Sequence, residues 1–250
     1  MSRQVVFAKV QAALADIERS SQPPEPEKPE NQLLTPANTP EPENQLLTPA
    51  NTSEPENQTL ASSKASDLVK LFTSRLIDYK ATVAHADSAE EIAALVLWFL
   101  QKRKVTSVVV PPGLDKAWIS AAETAGIQIT ADDPPLTKAV LDETGAVITA
   151  AAVAIAETGT IVLDHRPNQG RRIISLLPDT HICIVQEQQI RATVPEAIAC
   201  LASSAQERRP MTWISGPSAT VDIELIRVEG VHGPRNLFVI IQSQKEGDAG

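Results

Sequence analysis

Polar and apolar positions along the chain change their rhythm twice. Val6, Val10, Ala13 and Ile17 recur at spacings of four, three and four, which places them on one face of a helix. Leu68, Phe72, Leu76 and Tyr79 repeat that rhythm further on. From Ser88 onward strand and helix signals alternate. Ser88 and Glu91 predict a capping box opening a helix that runs to Lys102, and Val105 to Val110 predicts a strand buried on both faces. A helix is expected from about Leu114 to Ala125, ending at Gly126, followed by a short strand over Ile127 to Thr130. Val147 to Leu163 is strand material interrupted at Gly159. His181 to Gln186, Thr212 to Ser215 and Leu237 to Ile241 complete the strands. Thr193 with Glu196 predicts a cap on the helix that carries Cys200, with Pro195 in its first turn. Such alternation predicts an α/β domain with a mostly parallel open sheet and helices on both faces.

Residues 20–63 break this pattern. They hold nine of the 19 prolines, seven glutamates and one lysine, without a glycine or an aromatic residue. A segment of this composition buries too little apolar surface to offset the entropy of ordering it. Inside it the 13-residue unit from Glu30 to Pro42 recurs from Glu43 to Pro55 and decays in a third copy from Glu56. The period is too short for a solenoid of helical hairpins, so the segment is read as a disordered, acidic, Pro-rich insertion grown by duplication. A partner-binding motif at Leu33-Leu34 and Leu46-Leu47 is the functional alternative. The expected organisation is therefore an N-terminal helix over 1–19 that belongs to the main domain, a disordered repeat linker over 20–63, and the domain itself over 64–250.

Composition narrows the function classes. The formal net charge of the 250-residue chain is -9, so nucleic acid and anionic membrane surfaces are repelled on average. The longest apolar runs, Ile92 to Leu100 and Ala150 to Ala156, fall short of the roughly 18 to 20 residues that cross a bilayer. The first 19 residues carry Lys9, Gln11 and Asp16 among their apolar positions, unlike a signal peptide. A cytoplasmic protein is expected. Cys183 and Cys200 are the only cysteines, whereas an iron-sulfur cluster takes about four thiolates. His85, His165, His181 and His232 show no metal-ligand spacing, so neither a metal nor a cofactor of its own is expected.

Walker A and Gly-x-Gly-x-x-Gly spacings are missing, and Gly216-Pro217-Ser218-Ala219-Thr220 lacks the second glycine of a nucleophile elbow. Ser218 reads instead as the N-cap of a short helix through Asp222 and Glu224. Candidate chemistry lies where polar residues follow buried strands. Glu157, Thr158, Gly159 and Thr160 stand at the end of an apolar run, and ligands of open α/β sheets bind at the carboxyl ends of strands. Arg171 and Arg172 offer an anion-binding side to the same cleft. Ser215, Gly216 and Ser218 end another strand, and His232 sits in a glycine-bounded turn. The structural alternative pairs Glu157 with Arg171 or Arg172 and leaves His232 merely exposed.

Three passages together resemble the LUD-domain family, in particular its lactate utilization protein C (YkgG) group: Ala154 to Leu163, Gly170 to Ile184, and Ile214 to Pro234 with the Arg-Asn-Leu that follows. The likeness extends less sharply back to Phe72. The acidic spacer and the apolar stretch Thr149 to Val153 depart from the family's pattern. The resemblance implies the NagB/RpiA/CoA-transferase-like fold shared with ribose-5-phosphate isomerase and formyltetrahydrofolate cyclo-ligase. It also implies a non-redox part in oxidising L-lactate to pyruvate beside two iron-sulfur partners, lactate utilization proteins A and B. The site would comprise Glu157, Thr158, Gly159, Thr160, Arg171, Arg172, Ser215, Gly216, Ser218, Asp222, Glu224 and His232, and a small carboxylic acid is the candidate ligand. Two other classes stay open: an enzyme related to the CoA-transferases that uses Glu157 as nucleophile, and a sensor of a carboxylic acid.

Overall fold

The computed structural model describes residues 15, 54–221, 227–229 and 233–243. Apart from Ala15, which is helical, the helix expected over 1–19 lies outside these residues, as does most of the repeat linker. The described fold opens with α1 (Glu54–Asp78), which starts ten residues inside the segment read as linker. Then come β1 (Thr82–Ala86), α2 (Ala89–Lys102) and β2 (Ser107–Val110). Over 114–125 the expected helix is a 3-10 turn, Lys116–Ile119, running into the short α3 (Ser120–Thr124). There follow β3 (Gln128–Ala131), α4 (Lys138–Asp142), β4 (Ala146–Ala150), β5 (Val153–Ile155), β6 (Thr160–Leu163), β7 (Thr180–Gln186) and β8 (Ile190–Arg191). The chain continues through α5 (Val194–Cys200), α6 (Ala202–Gln206), β9 (Thr212–Ile214), β10 (Ala219–Val221), β11 (Arg227–Glu229) and β12 (Asn236–Gln242).

Six strands, in the order β1-β12-β7-β4-β2-β3, form one open sheet in which every pairing is parallel. Its strands read as unbroken apolar runs because both faces are covered. Ile182 and Ile184 of β7 join the face under α2, where Phe99 stacks on Phe238 with ring centroids 4.2 Å apart. Cys183 and Val185 point the other way, toward Phe72 and Leu76 of α1 and Ile161 of β6. Ser88 caps α2 as expected, its Oγ accepting from the Glu91 N–H (3.2 Å), but the reciprocal bond of a capping box is displaced by one residue, Glu91 Oε2 accepting from the Asp87 N–H (2.8 Å) and not from that of Ser88.

Helices alone were expected on both faces, but the second face is covered by α1 together with a four-stranded sheet, β8-β5-β6-β9. The chain changes sheets at two small residues. The Ala151 N–H still bonds Ile184 O of the parallel sheet (3.0 Å), whereas the next N–H, that of Ala152, bonds Val162 O of the smaller one (2.9 Å). The apolar run from 147 to 163 is thus three strands, with an antiparallel hairpin between β5 and β6. Ser218 does not cap a helix either: Ala219–Val221 pairs antiparallel with Arg227–Glu229.

Candidate functional site

A cavity of about 280 Å³ opens beside the amino ends of β7 and β12, on the face that carries the second sheet. Arg172, His181, Thr212, Ser215, Gly216 and Ser218 line it. The segment after β9 reaches this position because Gly216 has φ +96° and packs on the end of α1; a Cβ there would lie 2.7 Å from Tyr79 Cβ. The Ser218 N–H is tied to Pro234 O at 2.8 Å, which closes the loop over the cavity. His165 fixes the other side. Its Nδ1 donates to Gly170 O (2.8 Å) because a carbonyl only accepts, and its Nε2 bonds Thr212 Oγ1 (2.9 Å). Gly170, just before the two arginines, is thereby tied through His165 to Thr212 of β9.

The two arginines have separate fates. Arg171 forms a fork with Asp132, Nε to Oδ2 at 2.6 Å and Nη2 to Oδ1 at 2.7 Å, and its Nη2 also donates to Leu136 O. Burial alone would raise the Asp132 carboxyl, but the Arg171 and Leu136 hydrogen bonds hold it below the usual value. Arg172 is exposed, and its guanidinium has no partner among the described residues. A planar cation placed at the rim of a cavity with hydroxyls is suited to a carboxylate.

Glu157 lies outside this cavity. It is exposed on the β5–β6 hairpin turn, pairs with neither arginine, and its Oε1 accepts the Val194 N–H at the start of α5 (2.8 Å). Thr193, the expected cap, makes no side-chain capping bond there. Gly159 has φ +60° and sits against Arg75 of α1. Thr158 and Thr160 do not line the cavity but bond a residue that does: Thr158 Oγ1 donates to Thr160 Oγ1 (2.8 Å), and Thr160 Oγ1 bonds Ser215 Oγ (2.8 Å). Asp222, Glu224 and His232 lie outside the described residues.

Two residues that the sequence reading left unassigned stand behind the cavity. His181 is 1% exposed, and its Nε2 bonds Thr149 Oγ1 at 2.8 Å. Thr149 Oγ1 in turn lies 3.7 Å from Cys183 Sγ, to which it donates. Burial pushes the His181 imidazole down to about 4, so it is neutral near pH 7. Burial likewise pushes the Cys183 thiol up to about 12, against the Thr149 hydrogen bond that lowers it. The one available signal was a histidine and a threonine inside otherwise apolar strands, since buried polar groups need partners.

A second cavity, about 210 Å³, lies past the carboxyl ends of β4 and β7 and is lined by Asp164, Arg166, Asn168, Ser204 and the exposed Cys200. Asp164 accepts from Ser204 Oγ (2.5 Å) and Arg166 Nε (2.9 Å). Burial alone would raise this carboxyl; the Ser204 and Arg166 bonds bring it below the usual value. Among the described residues no three His, Cys, Asp or Glu side chains gather as a metal site, and no helix is long and apolar enough to cross a membrane.

Comparison with known proteins adds the following. The LUD domain profile matches residues 69–242. A protein of Deinococcus radiodurans named lactate utilization protein C is 49% identical over 176 residues, 70% of this chain and 80% of the relative. The Escherichia coli protein named uncharacterized protein YkgG is 40% identical over 97 residues, 37% of this chain and 42% of its own length. The crystal structure of a DUF162 family protein from Deinococcus radiodurans is similar with a TM-score of 0.61 at 41% identity, covering 72% of this chain and 98% of that one.

Proposed function

Because the chain belongs to the LUD-domain family, we propose that it acts as a lactate utilization protein C-type component of a cytoplasmic system that oxidises L-lactate to pyruvate, and that its cleft holds a small hydroxy or keto acid. The observation that carries this reading is Arg172, a guanidinium without a protein partner among the described residues, at the rim of a cavity also lined by Ser215, Thr212 and Ser218. Its fork matches a carboxylate, and the hydroxyls complement the polar end of a molecule of a few heavy atoms. Electrons leave through the iron-sulfur partners, lactate utilization proteins A and B, since two cysteines fall short of a cluster's thiolate set. Glu157 supplies no chemistry in this reading: one of its oxygens is committed to the start of α5.

Deleting the gene is expected to abolish growth on L-lactate while growth on pyruvate continues, and purification from lactate-grown cells is expected to bring down two iron-sulfur proteins. Undiminished growth of the deletion strain on L-lactate overturns the proposal.

A further inference from the structure

The cleft has a polar group at its back that no pairing inside the protein uses up. His181 lines the cavity from β7, and its Nε2 is committed to Thr149 Oγ1 at 2.8 Å. Thr149 has one hydroxyl proton, and it is directed to Cys183 Sγ at 3.7 Å. The bond between His181 and Thr149 serves either imidazole tautomer; with the Thr149 proton placed on the sulfur it takes its proton from the imidazole, and the ring hydrogen sits on Nε2. Nδ1 is left with a lone pair and has no partner among the described residues.

We propose that His181 offers this Nδ1 as a hydrogen-bond acceptor to the ligand and thereby makes the cleft select an α-hydroxy acid over the corresponding keto acid. The inference rests on the carboxylate-binding reading of Arg172 given above. A hydroxyl can donate to Nδ1; a keto oxygen brings a lone pair against a lone pair and leaves both acceptors unsatisfied. Sites built around a hydrogen bond to a substrate hydroxyl discriminate far better than sites that only match shape. The environment supports the neutral form, since burial holds the imidazole pKa near 4 and keeps it from acting as a second cation beside Arg172. Thr149 and Cys183 act as positioning residues: they touch no ligand and set which ring nitrogen carries the proton.

The test uses the full chain labelled with ¹⁵N-histidine, with His181→Gln to assign the His181 resonances, and calorimetric titrations with L-lactate and with pyruvate. The expected result is an imidazole protonated at Nε2 and unprotonated at Nδ1, with L-lactate bound roughly tenfold or more tighter than pyruvate. In a folded Thr149→Val variant the tautomer is released and the ratio falls toward one. Equal affinities in the wild type, or a proton resident on Nδ1, overturn this inference and leave the Arg172 reading standing. Binding of neither acid overturns both. The wild-type measurements decide the matter even where Thr149→Val fails to fold.

Discussion

The two polar cavities sit at opposite ends of the parallel strands, and they treat their charges in opposite ways. Past the carboxyl ends, the Asp164 side chain is 3% exposed and tied to Ser204 and Arg166. Beside the amino ends, Arg172 is exposed, and neither its guanidinium nor His181 Nδ1 has a partner among the described residues. At one cavity the buried charge is matched by a countercharge of the fold, although Asp164 Oδ1 makes no hydrogen bond; at the other the arginine is not. Polar character alone therefore does not mark a ligand site. The informative feature is a charge at a cavity whose countercharge the fold does not supply.

The contrast can be broken at its structural end first. Asp164→Ala removes the acceptor of both Ser204 and Arg166 and is expected to cost about 2 to 4 kcal/mol, with Arg166's partial exposure limiting the loss. Thermal unfolding should show a Tm lower by several degrees, and an unchanged Tm would contradict the assignment of this carboxylate to the fold. Arg172→Ala inverts the result: stability should move by less than about 0.5 kcal/mol while the affinity for L-lactate falls about tenfold, or about 1.4 kcal/mol. A large drop in Tm with unchanged binding would assign Arg172 to the fold instead.

Acid sharpens the same comparison. The folded His181 pKa is near 4 and its ordinary value is 6.5, so the unfolded chain takes up this proton first as pH falls. Stability from this site is fully present above about pH 6.5 and declines toward pH 4. Asp132 and Asp164 have lowered folded values, so their contribution is present above the usual carboxylate value of 3.8 and is lost as pH falls below it. Melting curves from pH 7 to 3 should show the first decline in the wild type and a flatter course from 6.5 to 4 in His181→Gln. The smallest effect is expected from Glu157→Gln. The amide still accepts the Val194 N–H, so only the charge near the start of α5 is lost, about 0.3 to 1 kcal/mol. Acid binding measured by calorimetry should match the wild type; a clear loss would place Glu157 in the site through the Thr158–Thr160–Ser215 hydroxyls.

Much of the fold was legible because local signals agreed with it. The Ser88 cap, the β-branched run before Pro111, and the apolar strands at β7 and β12 each carried their own pattern. The second sheet was not legible. A run that is apolar throughout has no period, and the step from one sheet to the other falls on Ala151 and Ala152, which carry no turn signal. Of the site, Arg172, Ser215, Gly216 and Ser218 were singled out in advance and meet at one cavity. His181 and Thr149 passed as strand residues because their partnership spans 32 positions along the chain. Glu157 looked available for the same reason: the N–H that occupies it belongs to Val194, 37 residues on.

The strand order carries a consequence for how the molecule is made. β1 pairs with β12 alone, and β12 stands between β1 and β7. A nascent chain that has emerged through β11 thus holds the first and third positions of its central layer complete in sequence but separated by an open slot, with the backbone groups of Thr82–Ala86 and Thr180–Gln186 waiting for Asn236–Gln242. Such late, long-range pairing makes folding slow and leaves two apolar strand edges exposed during synthesis. It also couples construction to the site: Leu237 and Pro234 enter the cavity wall with β12, so the cavity beside Arg172 closes only once β12 has been added to the sheet.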